Sequence, residues 1–171
     1  TNITVYDLGY KLGPRINAGG RVGKCSHGAN LFLSKDNKEI FKIASELENY
    51  NKERKEIENE MLNKIEKNIK IDTNTPVIVL IGHNWHAGII GIIAARIKEK
   101  YNKPTVIISV QHGFGKASVR SVLGFDIGSL IISAVNKNIL KKGGGHKMAG
   151  GFTIEENKIE EFKDFINKKF K

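Results

Sequence analysis

Residues 76–110 read PVIVLIGHNWHAGIIGIIAARIKEKYNKPTVIISV, and their alternation decides the fold class. Pro76–Gly82 is a short β-branched apolar run bounded by Pro and Gly, which predicts a buried strand. His86–Tyr101 is rich in Ile and Ala and turns to Lys and Glu at its end, the pattern of a helix laid on a sheet. Pro104–Val110 repeats the first pattern and predicts a second buried strand. Strand, helix, strand is the unit from which α/β proteins are built.

Working outward toward the C-terminus, Phe114–Val122 alternates in character and predicts a third strand. Phe125–Lys137 reads as a helix, Met148–Ile154 as a short strand and Glu155–Phe170 as a closing amphipathic helix. This succession predicts an α/β fold with a mixed, mainly parallel sheet flanked by helices. Toward the N-terminus, residues 38–70 predict one long helix, because no Gly or Pro occurs between Ala29 and Thr75. Ile43, Leu47, Tyr50, Ile57, Met61, Ile65 and Ile69 recur at spacings of three, four or seven and form a narrow apolar stripe, interrupted by Arg54. Such a helix is read as a connector, broken by the Ile71–Pro76 segment. Residues 1–38 hold six glycines and predict turns with short helices, one opening at Pro14 and one over Gly28–Leu33. The predicted divisions are 1–37, the connector 38–71 and an α/β domain over 72–171.

Composition narrows the function classes. No run of 18 apolar residues occurs, so no membrane-spanning helix is predicted, and the N-terminus lacks the pattern of a signal peptide. The first residue is not Met, which is read as a piece of a longer protein. A lone Cys25 rules out an internal disulfide and a cysteine-based metal site, and makes a reducing, cytoplasmic setting the default. The formal net charge of +10 favours a polyanion, nucleic acid or an anionic membrane face. Against this, 23 of the 28 basic residues are Lys, a bias that genome composition also produces. The five arginines discriminate better, because Arg15, Arg21 and Arg120 sit among glycines and a guanidinium grips phosphate with two parallel hydrogen bonds.

Four segments carry candidate chemistry. Gly143-Gly144-Gly145-His146 removes side chains from one stretch of backbone, which in a turn forms an anion-binding nest with His146 at its end. The alternative is a flexible turn before a capping histidine. Lys116, Ser118 and Arg120 alternate along a strand, so they share one face and suit a phosphate, or simply form the polar side of an edge strand. His83-Asn84-Trp85-His86 lies where a strand passes into a helix, the ligand-facing edge of an open α/β sheet. There His86 reads as a helix-capping histidine in preference to a metal ligand, and Trp85 as a base-stacking or a core residue. Gly13–Arg21 presents Arg15, Asn17 and Arg21 beside small residues, for domain packing or for phosphate. The aspartates Asp7, Asp36, Asp72, Asp126 and Asp164 are scattered, and no Walker A, nucleophile-elbow or zinc pattern occurs. The residues read as a binder, with no metal site and no catalytic residue.

In combination and order, these segments resemble the RecJ branch of the DHH phosphoesterase superfamily. GPRINAGGR resembles its GPRINAAGR element; Leu47, Asn51, Arg54 and Glu58 fit its L-x-x-x-N-x-x-R-x-x-x-E helix. WHAGIIGIIAARI resembles W-H-x-G-V-I-G-I-V-A-S-R-L, GKASVRS resembles G-K-G-S-A-R-S, and GGGHKMAGG resembles the G-G-H-x-x-A-A-G signature of the DHH-associated domain. The departures at Gly19, Ala117, Val119 and Gly150 exchange one small residue for another or add little bulk.

The resemblance implies a 5′ to 3′ single-stranded-DNA exonuclease of recombination and DNA repair, with Mg or Mn held by an N-terminal DHH domain outside these residues. It implies that 1–37 closes that catalytic domain, that 38–71 connects, and that 72–171 is the DHH-associated, nucleic-acid-binding domain. Ser118 and Arg120 would hold the 5′-terminal phosphate, Gly144, Gly145 and His146 would line the nucleotide site, and Arg15, Asn17 and Arg21 would lie near the cleft or domain junction. Single-stranded DNA, the DHH domain, and single-strand-binding and repair proteins are the implied partners. Two alternatives are a DHH-family phosphodiesterase of oligonucleotides or dinucleotides, which the WHxG and GPRIN elements disfavour, and a non-catalytic protein-docking module.

Overall fold

A computed structural model describes residues 2–169; Thr1, Phe170 and Lys171, the second of which ends the predicted closing helix, lie outside the described residues. The chain divides into two compact units, Thr1–Glu60 and Met61–Lys171.

The first unit contains a π-helical turn at Asp7–Leu12, α1 (Gly13–Val22), α2 (His27–Leu33) and the first part of α3 (Asn37–Asn68). Pro14 occupies the first turn of α1, where a missing N–H costs nothing. Gly19 lets α1 close on α3, for a Cβ there would stand 3.2 Å from Leu47 Cδ2 and 2.7 Å from the Lys24 carbonyl. His27 is buried and bonds through Nε2 to Glu46. The Glu46 carboxyl is held below its ordinary value chiefly by that bond.

On α3 the line of full burial differs from the predicted stripe. It runs Ile43, Leu47, Asn51, Arg54, Glu58, Met61, Ile65, while Tyr50 and Ile57 are only half-buried. Arg54 therefore continues the buried line. It can do so because its guanidinium bonds the Glu58 carboxylate at 2.6 Å and the Asn51 carbonyl oxygen at 3.2 and 3.3 Å. A charge is tolerated inside a protein when it is paired and hydrogen-bonded in this way.

The second unit is built on five strands, β1 (Ile78–His83), β2 (Thr105–Gln111), β3 (Phe114–Arg120), β4 (Lys142–His146) and β5 (Ala149–Glu155). With them come α4 (Ile90–Tyr101), α5 (Ile127–Asn136) and α6 (Ile159–Lys168). Strand order is β1-β2-β3-β5-β4. The α/β class, the mixed sheet, its flanking helices and the preceding long helix agree with the expectation, but the balance of directions does not. Only β1 and β2 are parallel; the other three pairings are antiparallel. The cause is two tight hairpins. His112 and Gly113, both with positive φ (52° and 76°), turn β2 into β3, and Lys147-Met148 turns β4 into β5. A two-residue connection joins antiparallel strands only.

The segment predicted as a glycine nest is instead strand β4, paired with β5 from Lys142↔Thr153 to His146↔Ala149. Positive φ among the glycines is confined to Gly113 and Gly124 among the described residues, so the backbone has no nest there. Glycine has poor strand propensity, and β4 is held by its partner rather than by its own side chains.

One face of the sheet packs on α5 and α6. Val106, Ile108, Val110, Ala117, Val119, Phe152 and Ile154 meet Ile127, Ile131, Phe162 and Ile166 in one apolar core. Each Val, Ile or Phe side chain of this core, fully buried, contributes about 1.5–3 kcal/mol. On the opposite face α4 covers part of β2 and β3, burying Ile90, Ile93, Ala94 and Ile97. The end of α3 is tied to α4 by the Lys100–Glu66 ion pair at 2.6 Å. What α4 does not cover is the polar side of β3, β5 and β4.

Candidate nucleic-acid interface

Strand alternation places Lys116, Ser118 and Arg120 on the face that α5 and α6 leave bare, and the register carries that face outward. Lys116 pairs with Thr153, and Thr153 with Lys142; Ser118 pairs with Gly151, and Gly151 with Gly144; Arg120 pairs with Ala149, and Ala149 with His146. Directly opposed residues point the same way. The result is a patch floored by Ser118, Gly151, Gly144 and Ala149, with Lys116 and Lys142 at one end and Arg120 and His146 at the other. A Cβ built on Gly144 meets nothing within 4 Å, so the floor is open there.

Arg120 is fixed on this patch. Its Nη1 donates to the Ser118 hydroxyl at 3.2 Å and to the Val119 carbonyl at 2.9 Å. Above the pair stands the first turn of α4: a Cβ on Gly91 would lie 3.1 Å from Ser118 Oγ and 3.2 Å from Arg120 Nη2. A guanidinium, a hydroxyl and a helix N-terminus thus converge, and all three favour an anion. His146 accepts the Met148 backbone N–H at Nδ1, 3.3 Å, which leaves Nε2 as the ring's donor.

Gly143 and Gly145 face the other way. A Cβ on Gly143 would stand 2.7 Å from Ile131 Cγ2, and one on Gly145 2.4 Å from the Ala149 carbonyl. The bareness of Gly143 admits α5, and that of Gly145 admits the backbone of its own hairpin. The α5 N-terminus is capped by Asp126, which accepts the Ser129 N–H at 3.0 Å; that bond, with Lys147 nearby, holds its carboxyl below the ordinary range.

Trp85 and His86 lie on the loop between β1 and α4. Asn84 adopts φ of 56° and reverses the chain, laying the Trp85 indole on the bare backbone of Gly82; Ser109 Oγ donates to the Trp85 carbonyl at 2.7 Å. His86 Nδ1 accepts the Gly88 N–H at 3.2 Å, so it caps its own loop. Together with Lys116, Thr153 and Phe114 this loop bounds a cleft of ≈550 Å³.

Arg15, Asn17 and Arg21 belong to the first unit. Arg15 Nε bonds Glu48 at 2.5 Å and Nη1 the Lys11 carbonyl at 2.6 Å; Asn17 and Arg21 are exposed. Among the described residues, no three His, Cys, Asp or Glu side chains gather as metal ligands, and no helix is long and apolar enough to cross a membrane.

Sequence reasoning missed Gly91, Lys142, Thr153 and Gly151 as parts of the patch. Gly91 and Gly151 lie inside the quoted motifs, but nothing in a linear pattern tells which glycine faces which surface.

Residues 74–171 match the DHHA1 domain family. The chain belongs to that family. Its DHHA1 domain and the residues before it are 37% identical over 164 residues to the single-stranded-DNA-specific exonuclease RecJ of Salmonella typhimurium, covering 91% of this chain and 28% of that protein. Identity to RecJ of Haemophilus influenzae is 35% over 175 residues, covering 96% of this chain and 30% of that protein. The crystal structure of Thermus thermophilus RecJ with Mg2+ superposes at a TM-score of 0.84 and 30% identity, over 96% of this chain and 25% of that one; the Mn2+ complex gives 0.85. The chain thus spans less than a third of the length of the curated relatives it matches.

Proposed function

We propose that this DHHA1 segment grips single-stranded DNA for a RecJ-like 5′ to 3′ exonuclease, and that Ser118 and Arg120 hold the 5′-terminal phosphate. One observation carries the reading: Ser118, Arg120 and the first turn of α4 converge at Gly91, beside a floor stripped of side chains at Gly144 and Gly151. Cations that meet phosphates bind a strand without regard to its sequence, and glycine lets a ligand approach the backbone closely. Lys116, Lys142 and His146 extend the charge to neighbouring phosphates.

Hydrolysis belongs to a DHH domain outside this segment, where Mg2+ or Mn2+ would be held; this segment alone cleaves nothing. Arg15, Asn17 and Arg21 act near the junction with that domain. The whole protein works in the cytoplasm on recombination and repair intermediates, with single-strand-binding and repair proteins as partners. Similarity to RecJ exonucleases over nearly the entire chain supports this reading.

The test is fluorescence anisotropy of this chain with 3′-labelled single strands carrying a 5′-phosphate or a 5′-hydroxyl, beside Arg120→Ala. The expected result is a preference for the phosphate that the variant abolishes. Equal affinity for both ends in the unaltered chain refutes end recognition.

A further inference from the structure

The ≈550 Å³ cleft beside the patch shares Lys116 and Thr153 with it, and the rest of its lining has no part in phosphate recognition. Trp85 and Phe114 supply aromatic surface, Asn84 and Gln111 supply amides that donate and accept, and Lys116 and Thr153 close the side toward Ser118. We infer that this cleft seats a nucleobase of the strand whose phosphate lies on Ser118 and Arg120. The inference rests on the function proposed above and extends it from the phosphate to the base.

Three observations converge. First, the indole is held in place before any ligand arrives. Three of its ring atoms lie 2.0–2.4 Å from where a Gly82 Cβ would be, so the ring rests on bare backbone, and Trp85 lines the cleft. The loop carrying it is pinned by the Ser109–Trp85 bond and by Asn84 N–H donating to the Val110 carbonyl at 3.0 Å. A rigid aromatic platform loses little entropy on stacking, and base stacking tolerates every sequence. Second, cleft and patch share a wall. Phe114, Lys116, Ser118 and Arg120 alternate on one face of β3, each about 6.7 Å from the next, a spacing on the scale of one nucleotide. Third, the loop that carries Trp85 runs directly into α4, whose Gly91 stands over Ser118 and Arg120. The same loop and helix therefore border both sites. A planar ligand with a polar edge and an adjoining anion fits this arrangement, and the volume lies within the range of small-molecule sites.

Trp85 is the sole tryptophan of the chain, so its emission reports on the cleft alone. The experiment uses the whole 171-residue chain with 3′-labelled 5′-phosphorylated oligothymidylate and an abasic phosphodiester strand of equal length. Label anisotropy reads binding, and tryptophan emission reads stacking. Thymidylate is expected to quench Trp85, while the abasic strand binds through its phosphates without quenching. Phe114→Ala and Gln111→Ala should each weaken thymidylate about fivefold or more and leave the abasic strand within about twofold. Phe114 is 41% exposed, so its truncation spares the core.

Unchanged emission at saturating thymidylate, equal quenching by both strands, equal losses for both strands in the variants, or no binding of thymidylate at all overturns the inference. Failure of the phosphate reading has a separate signature, namely no difference between 5′-phosphate and 5′-hydroxyl ends whatever the tryptophan does.

Discussion

Alanine at each of the three consecutive glycines of β4 should give three different proteins. At Gly143 the added methyl would stand 2.7 Å from Ile131 Cγ2, 2.7 Å from Phe152 Cβ and 3.1 Å from the Gly151 carbonyl. Carbon atoms prefer about 3.5–4.0 Å, so the shortfall is about 1 Å on two sides at once. Overpacking of this kind costs about 1–3 kcal/mol, and each kcal/mol lowers Tm by about 4–8 °C in a domain of this size. A fall of about 10 °C is expected for Gly143→Ala. Gly145→Ala should fall further, because its methyl meets backbone, 2.4 Å from the Ala149 carbonyl and 2.6 Å from Gly150 Cα, and backbone yields less than a side-chain tip. Gly144→Ala meets nothing within 4 Å. Its Tm should hold or rise by a few degrees, since glycine inside a strand is worse than alanine by about 0.5–1 kcal/mol. The same methyl projects into the proposed strand path and should weaken oligothymidylate binding by about threefold to tenfold. Differential scanning calorimetry with anisotropy on the three variants checks the set. If Gly144→Ala loses as much stability as Gly143→Ala, the assignment of opposite faces within β4 is wrong.

The salt dependence of single-strand binding should flatten in Arg120→Ala, the slope of log K against log salt falling in magnitude by about 0.7 for the lost phosphate contact; an unchanged slope would place Arg120 off the strand. Arg54→Met should destabilise by about 3 kcal/mol, as expected when a buried ion pair loses one partner. Arg54→Met/Glu58→Met should recover much of that loss in denaturant titrations, and a harmless single variant would show that the Arg54–Glu58 pair carries no strain of burial. Asp126 has a depressed folded value, so its stabilisation of α5 is complete above the ordinary 3.8 and is lost as pH falls through the folded value. Asp126→Asn keeps the capping acceptor and should flatten the acid limb of stability measured by circular dichroism, whereas an unaltered limb would remove Asp126 from the acid transition.

Strands β1 and β2 and helix α4 are legible in the sequence because Val, Ile and Ala runs there are bounded by Pro and Gly and are long enough to distinguish. Alternation alone brings Lys116, Ser118 and Arg120 to one face. The direction of the strands is hidden, because it depends on His112-Gly113 and Lys147-Met148 turning in two residues, and the second pair carries no positive-φ signature. Strand β4 is hidden because glycine has no strand preference of its own. Lys142 and His146 join Lys116 and Arg120 only through the register of three strands, and register leaves no trace in a linear pattern. On α3, Asn51, Arg54 and Glu58 occupy positions that a hydrophobic count assigns to solvent, since the count cannot see a mutually satisfied polar triad.

Strand β4 closes the sheet at one side, and its outer edge has no strand beside it among the described residues. Three glycines make that edge flat, with no side chain to turn away a second strand, which is the form most open to pairing between copies of a chain. Lys141 and Lys142 precede the glycines, and His146 and Lys147 follow them. Two such edges approaching each other would bring like charges together at both ends. The lysines proposed to meet a polyanion on the neighbouring face therefore also oppose pairing of two such edges, a repulsion that salt screens.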